Sequence, residues 1–364
     1  MKITNIRLGK LKVPLITPFK TAIRTVDCVE DVIVLMETDC GRVGYGNAPA
    51  TAAITGDTHG SVIEAINTVF KPLLIGRDVG ELNQLTQIIQ SAMVKNYSAK
   101  AAVEIALYDL FAQSFDAPLY KILGGGENSM TTDITISVDY IDKMVADAQR
   151  AVERGFEILK VKVGKDIRLD MERIKAIYAA VEGRALLRLD ANQGWTPKQA
   201  VHAIRALEDA GVVLELVEQP VRAHDLEGMR YITERVHTPI MADESTFGPI
   251  EVIDLIRQRA ADIINIKLMK TGGIANAIRI ADIAGVYDVE CMMGCMLETS
   301  IGVSAAAHVA AAKSGVVTKV DLDVPSLCQY DPVIGGVSYK DADIILNQTP
   351  GLGIERIDGL QLLD

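Results

Sequence analysis

Lys160 and Lys162 stand two residues apart in the apolar stretch FEILKVKVGKD, residues 156 to 166. Read as a strand, this stretch sends both ammonium groups out of one face. Like charges side by side at the end of a packed strand are costly unless partners or chemistry use them. The chain offers such partners at the ends of other apolar runs: Asp190 in LRLDANQGW, Glu218 in ELVEQP, Asp243 in MADES, Lys267 in INIKLMKTGG, and Asp321 with Asp323 in VDLDVP. Asp190, Glu218 and Asp243 close three successive runs, so they are oxygen donors suited to a hard cation, with magnesium the natural choice. No His or Cys stands among them, which argues against zinc.

The lysines complete a proton-transfer set. Lys162 and Lys267 would face a substrate carbon from opposite sides, one removing a proton and the other returning it. A free lysine, with a pKa of about 10.4, is too weakly deprotonated at neutral pH, so burial and a neighbouring cation are expected to lower it. The same cation would stabilise negative charge developing on an adjacent carboxylate or carbonyl oxygen.

The elements that must position these residues follow a strict rhythm. Eight strand-like runs (TDITISV, FEILKVKV, ALLRLDA, VVLELVEQ, TPIMADE, ADIINIKL, VECMMGC, VTKVDLD) alternate with amphipathic helical patterns such as DMERIKAIYAAV and GIANAIRIADIAG. That alternation predicts an α/β fold of the TIM-barrel type, whose strand C-termini carry the active site. No GxGxxG follows the first strand, which weakens an open dinucleotide-binding sheet. Upstream, ITNIRL, LKVPL and DVIVLMETDCGRVGYG predict short antiparallel strands, and three helical stretches follow, the last of them SAKAAVEIALYDLFAQ with Ser98 as its N-cap. GGGENS, residues 124 to 129, punctuates the change of rhythm and reads as a linking turn. We expect an α+β capping domain over residues 1–125, a barrel over 126–323, and a turn-rich tail, 324–364, that returns to complete the cap.

Composition narrows the function classes. The 364 residues are 49% hydrophobic and carry a formal net charge of −11, which disfavours nucleic acid and anionic membranes as partners. The first residues alternate charged and apolar side chains and no run reaches the length of a membrane span, so a cytoplasmic protein is expected. Five cysteines without a CxxC pair suggest buried reduced thiols, and the five histidines suggest surface or satisfied core positions.

Together KVKVG, the Asp190, Glu218 and Asp243 motifs, and Lys267 in INIKLMKTGG resemble the muconate-lactonizing branch of the enolase superfamily over nearly the whole chain. The resemblance implies a magnesium enzyme with one ion per subunit, built as a modified (β/α)7β barrel with an N-terminal α+β cap. Several reactions share that scaffold, among them o-succinylbenzoate synthesis and N-acylamino acid racemisation. Asp321 and Asp323 face the same way and suit a substrate ammonium group, and this pair resembles that of the dipeptide epimerases. Arg24, in PFKTAIRT, matches an arginine that in L-Ala-D/L-Glu epimerases meets the substrate's side-chain carboxylate, for which a guanidinium fork is well shaped. Thr135 and the segment Cys295, Met296, Leu297 and Glu298 are expected to line the same mouth. Lys160 is expected to hold the substrate carboxylate and keep Lys162 deprotonated. The sequence departs from its relatives at Asn47, where they usually carry Glu. The implied activity is epimerisation of a dipeptide, with o-succinylbenzoate synthase or N-acylamino acid racemase as the alternative and a catalytically silent scaffold as the outsider. A homo-oligomer is compatible with this reading.

Overall fold

A computed structural model describes residues 1–363. Its centre is an eight-stranded parallel sheet in strict sequential order. The strands are Ile134–Ile136, Ile158–Lys162, Leu186–Asp190, Leu214–Glu218, Ile240–Ala242, Ile263–Lys267, Glu290–Gly294 and Val317–Asp321, here numbered one to eight. Seven helices connect them, Ile141–Glu153, Ile167–Val181, Pro197–Asp209, Leu226–Thr233, Pro249–Gln258, Ile274–Val286 and Ser300–Ala312, so the eighth strand lacks a full helix after it. This is the (β/α)7β barrel anticipated from the sequence.

Alternation along the strands builds both faces. Leu159, Val161, Leu187, Leu189, Val217, Ile264 and Ile266 are at most 1% exposed and join the large cluster under the helices. Burial of each such side chain contributes about 1.5–3 kcal/mol. The intervening residues Lys160, Lys162, Arg188, Asp190, Asn265 and Lys267 are thereby turned to the other face. Below the rim, Leu216, Met241, Ile263 and Met292 form a small apolar plug. Beside it Arg188, 2% exposed, bonds Asp133 Oδ2 at 2.7 Å and the Val320 carbonyl at 2.8 Å.

Strands one and eight have no backbone ladder between them among the described residues. Side chains close the seam: Leu322 N donates to Thr132 Oγ1 at 2.9 Å, and Thr135 N to Asp323 Oδ2 at 2.7 Å.

Over the barrel lies an antiparallel sheet of Ile3–Lys20, Thr25–Thr38 and Val43–Pro49. The two short segments expected at the start form one 18-residue strand, with the register irregular between Pro14 and Phe19. Strand Gln361–Leu363 pairs with Ile3–Lys20, whereas tail strands Val337–Lys340 and Asp343–Leu346 form a separate sheet with Ser129–Thr131. Helix Tyr97–Ser114 packs beneath it, buried on nearly every side. Ser98 is not its N-cap. Asn96 takes that position in a left-handed conformation, and Asp57 Oδ2 accepts the Ser98 N–H from outside the helix at 3.0 Å. No helix among the described residues is long and apolar enough to cross a membrane.

Candidate active site

The register of the barrel puts the charged residues side by side. Lys162 is opposite Asp190, and Asp190 opposite Glu218, across neighbouring strands. Asp243 follows the last residue of strand five. At the other side Lys267 is opposite Gly294, and Gly294 opposite Asp321. A Cβ at Gly294 would lie 2.7 Å from Asn265 Oδ1 and 3.1 Å from Lys267 Cε, so glycine leaves the lysine its path to the mouth. Strands two and six are separated by three strands whichever way the barrel is travelled. Lys162 and Lys267 therefore enter from opposite sides.

A cavity opens between the barrel mouth and the cap. Thr135, Lys160, Lys162, Lys267, Asp321 and Asp323 line it from the barrel. Cys295 and Met296 line it from the loop after strand seven, and Arg24 from the cap. Asp243 reaches the cavity as well, whereas Asp190 and Glu218 stand behind the lysines. Glu298 does not line it. Its side chain turns to the cap and meets Asn47 Nδ2 at 3.1 Å. The hairpin tip that carries Arg24 is tight: Thr21 N donates to the Arg24 carbonyl, and Thr21 Oγ1 accepts from the Arg24 N–H at 3.2 Å. Arg24 has no ion-pair partner among the described residues, and burial lowers its pKa.

The carboxylates and amines form one buried network. Lys162 Nζ lies 2.5 Å from Asp190 Oδ2, and Lys267 Nζ 2.7 Å from Asp243 Oδ2. Lys160 Nζ is 2.6 Å from both Asp321 Oδ2 and Glu218 Oε2 and 3.2 Å from Asp190. The contact with Glu218 lacks hydrogen-bond alignment, so that Oε2 has no donor. Burial works against the Lys160 ammonium, but Asp321, Glu218 and Asp190 outweigh it and hold the group well above the usual lysine range. Lys267 is likewise held above it by Asp243 and Glu218 in spite of its burial. Carboxylates are the nearest neighbours of this lysine, and they favour its charged form.

Burial pushes Glu218 up to about 7, with Asp190 adding to it, whereas Lys162 and Lys160 overcome burial to hold Asp190 below its ordinary value. Burial and Asp321 raise Asp323 to about 6.

Several participants carry no distinguishing mark in the sequence. Lys270, fully buried, donates to Asp243 Oδ1 at 2.5 Å and Thr246 Oγ1 at 2.9 Å. Asn265 donates to Glu218 Oε1 at 2.7 Å. Phe19 of the cap sheet places its ring 5.7 Å from Lys162 Nζ. Asn192 lines the cavity with a buried Oδ1 that no donor reaches. The second lysine of KLMK and the Asn of DAN were the available signals, though neither spacing alone distinguishes them from packing residues.

The donor set fits a hard divalent cation. Asp190, Glu218 and Asp243 come from adjacent strands, each at most 1% exposed. Beside them Asn192 Oδ1 and both oxygens of Glu244 are buried without hydrogen-bond donors, and Glu218 Oε2 has only the Lys160 ammonium against it. Such a surplus of orphaned oxygen acceptors is costly unless a cation takes them. A second acidic group, Asp133, Asp321 and Asp323, brings its oxygens within 4.8 Å of one another. Those side chains have partners in Arg188, Lys160 and the Thr135 amide, though Asp133 Oδ1 is itself buried without a donor.

The chain matches two family models. Residues 3–124 match the mandelate racemase / muconate lactonizing enzyme N-terminal domain, and residues 143–358 the enolase C-terminal domain-like family. It is 49% identical to the L-Ala-D/L-Glu epimerase of Clostridium acetobutylicum over 98% of this chain and all of that protein. Its fold superposes with a TM-score of 0.96 on the substrate-liganded L-Ala-D/L-Glu epimerase of Bacillus subtilis, 48% identical, covering 97% of this chain and 99% of the other. The dipeptide epimerase of Enterococcus faecalis, solved with Mg and L-Leu-L-Tyr, superposes with a TM-score of 0.94 at 43% identity, covering 98% and 100% of the two chains. With both of its halves matched and relatives near half-identical end to end, this chain belongs to the mandelate racemase / muconate lactonizing enzyme family of the enolase superfamily.

Proposed function

We propose that this protein is a magnesium-dependent dipeptide epimerase that inverts the α-carbon of the C-terminal residue, with L-Ala-D/L-Glu as its leading substrate. The observation that carries the reading is the pair of lysines at strands two and six, opposed across one cavity with carboxylates at one end and an unpaired arginine at the other. Residues 126–323 would be the catalytic unit, with 1–125 and 324–364 forming its cap.

In this reading Asp321 and Asp323 take the substrate's free ammonium group. Arg24 takes the side-chain carboxylate of the glutamyl residue in a bidentate pair. Lys160 stays cationic and holds the α-carboxylate. Asp190, Glu218 and Asp243 would hold magnesium, which when bound supplies positive charge beside the substrate carboxylate and takes over the anionic partners that now fall on the lysines. One of Lys162 and Lys267, as the free amine, removes the α-proton, and the other, as the ammonium, delivers a proton to the opposite face. Exchanging the two roles runs the reaction from the other epimer. Phe19, Leu297 and Met296 exclude water from the reacting carbon.

The test is isotopic. Incubation of L-Ala-L-Glu and L-Ala-D-Glu with enzyme and magnesium in deuterated water should place deuterium at the glutamyl α-carbon of both epimers. No exchange with any dipeptide, or turnover of an N-acylamino acid in preference, would overturn the assignment.

A further inference from the structure

Away from the reacting groups, two carboxylates with no cationic partner face each other across the junction of cap and barrel. Asp31, 1% exposed, belongs to strand Thr25–Thr38 of the cap, and Glu298, 2% exposed, to the loop between barrel strand seven and helix Ser300–Ala312. Asn47, wholly buried on strand Val43–Pro49, lies between them. Its Nδ2 donates to Asp31 Oδ2 at 2.8 Å and to Glu298 Oε2 at 3.1 Å. Two further hydrogen bonds tie the loop itself: Glu298 Oε1 takes the Met296 N–H at 2.9 Å, and the same Asp31 Oδ2 takes the Thr299 N–H at 2.8 Å. The loop held in this way carries Cys295, Met296 and Leu297, the wall of the substrate cavity. Gly302 makes room for the arrangement, since a Cβ there would run into Glu298 Oε2 and come within 2.6 Å of Asn47.

We propose that Asn47 is a positioning residue of the epimerase site, whose side-chain amide latches the Cys295–Leu297 wall to the cap by bridging Asp31 and Glu298. The proposal rests on the functional reading above and adds to it the means by which cap and barrel share one specificity wall. An amide suits this place because it supplies two donors to two acids without adding charge. Asp31 Oδ1 and Asn47 Oδ1 are buried without donors, so the cluster has acceptors in excess and room for a proton.

That proton makes the latch pH-sensitive. Burial, and then Asp31, push Glu298 up to about 8, and burial raises Asp31 to about 6. Around them stand His59 near Asp31, Lys267 and Cys295 near Glu298, and Cys328 and Asp331 on the tail. Because the folded value for Glu298 lies above that of an ordinary glutamate, its contribution to docking is complete below about 4.5 and is lost as pH rises through about 8.

The experiment uses the full chain. Amide hydrogen exchange at Met296 and Thr299, corrected for intrinsic rates and read without substrate, should lose protection as pH rises from 6 to 9 in the wild type. Glu298→Gln should keep that protection flat. Asn47→Asp, which removes both donors and adds a third carboxylate, should raise KM for L-Ala-D-Glu about tenfold at pH 8 with a smaller change in kcat, and recover toward the wild type at pH 6. Unchanged KM in Asn47→Asp at both pH values, or wild-type protection independent of pH, overturns the proposal. Should Asn47→Asp not fold, the wild-type and Glu298→Gln exchange profiles decide. Exchange is read on the resting chain, so absence of L-Ala-D-Glu turnover would refute the substrate and leave the latch to be judged by its own result.

Discussion

Two groups of carboxylates occupy the same barrel mouth, and their neighbours set them to different work. Asp190, Glu218 and Asp243 come from successive strands, face lysines, and are bordered by oxygen atoms that no donor reaches. Asp133, Asp321 and Asp323 lie closer together, yet Arg188, Lys160 and a backbone N–H already point at their oxygens. Under the proposed function the first group holds the cation and the second receives the substrate ammonium. What distinguishes the first group is its place on three successive strands, with the donorless oxygens of Asn192 and Glu244 beside it, while in the second Asp321 and Asp323 offer a charge pattern suited to an ammonium ion at the cavity's edge.

The sharpest way to break this comparison is to remove charge from each group in turn. Glu218→Gln should lower kcat by about a thousandfold or more and abolish magnesium binding in calorimetry, since a ligand and the stabilisation it supports are lost together. Asp133→Asn should leave magnesium affinity in place; if it abolishes the binding instead, the two groups have been assigned the wrong way round. Lys162→Ala and Lys267→Ala should each cost about 10²–10⁴-fold in epimerisation, and each should retain more exchange from one epimer than from the other, as deuterium incorporation would reveal. Loss of exchange from the same epimer in both variants would contradict opposed lysines.

Smaller effects sharpen the second group. Arg24→Met should reduce kcat/KM for L-Ala-D-Glu by about 10–100-fold, as expected for a lost charge-assisted pair, and leave L-Ala-L-Leu nearly unaffected. The mildest expectation concerns pH. Asp323, raised to about 6 by burial and Asp321, becomes protonated as pH falls, so KM for a free dipeptide should rise below about pH 6. The KM of a dipeptide with a blocked amino terminus should not follow that trend.

Much of this site was legible because strand alternation is a local rule. Lys160 with Lys162, and Asp321 with Asp323, declare their shared face by being two apart, and acids at the ends of three successive apolar runs need no tertiary information to be grouped. The barrel followed from the same periodicity. What stayed hidden depends on distant neighbours. Ser98 looked like an N-cap, but Asp57 supplies the capping oxygen from 41 residues away. Lys270 resembles any helix-start lysine until Asp243, Thr246 and the Asn265 carbonyl are seen around it. Glu298 shares a loop with cavity residues and yet turns away, because its partner Asn47 lies 251 residues upstream. The charges around Lys267 also required the structure, since sequence gives burial but not that Asp243 and Glu218 are brought nearest.

The seam between strands one and eight has a consequence for how the molecule tightens. Asp323, offered here as half of the ammonium site, is also the clasp that takes the Thr135 N–H where no ladder joins the two strands. A bound dipeptide would thus act as a brace across a joint of the barrel that no ladder holds, and heat resistance should climb with ligand.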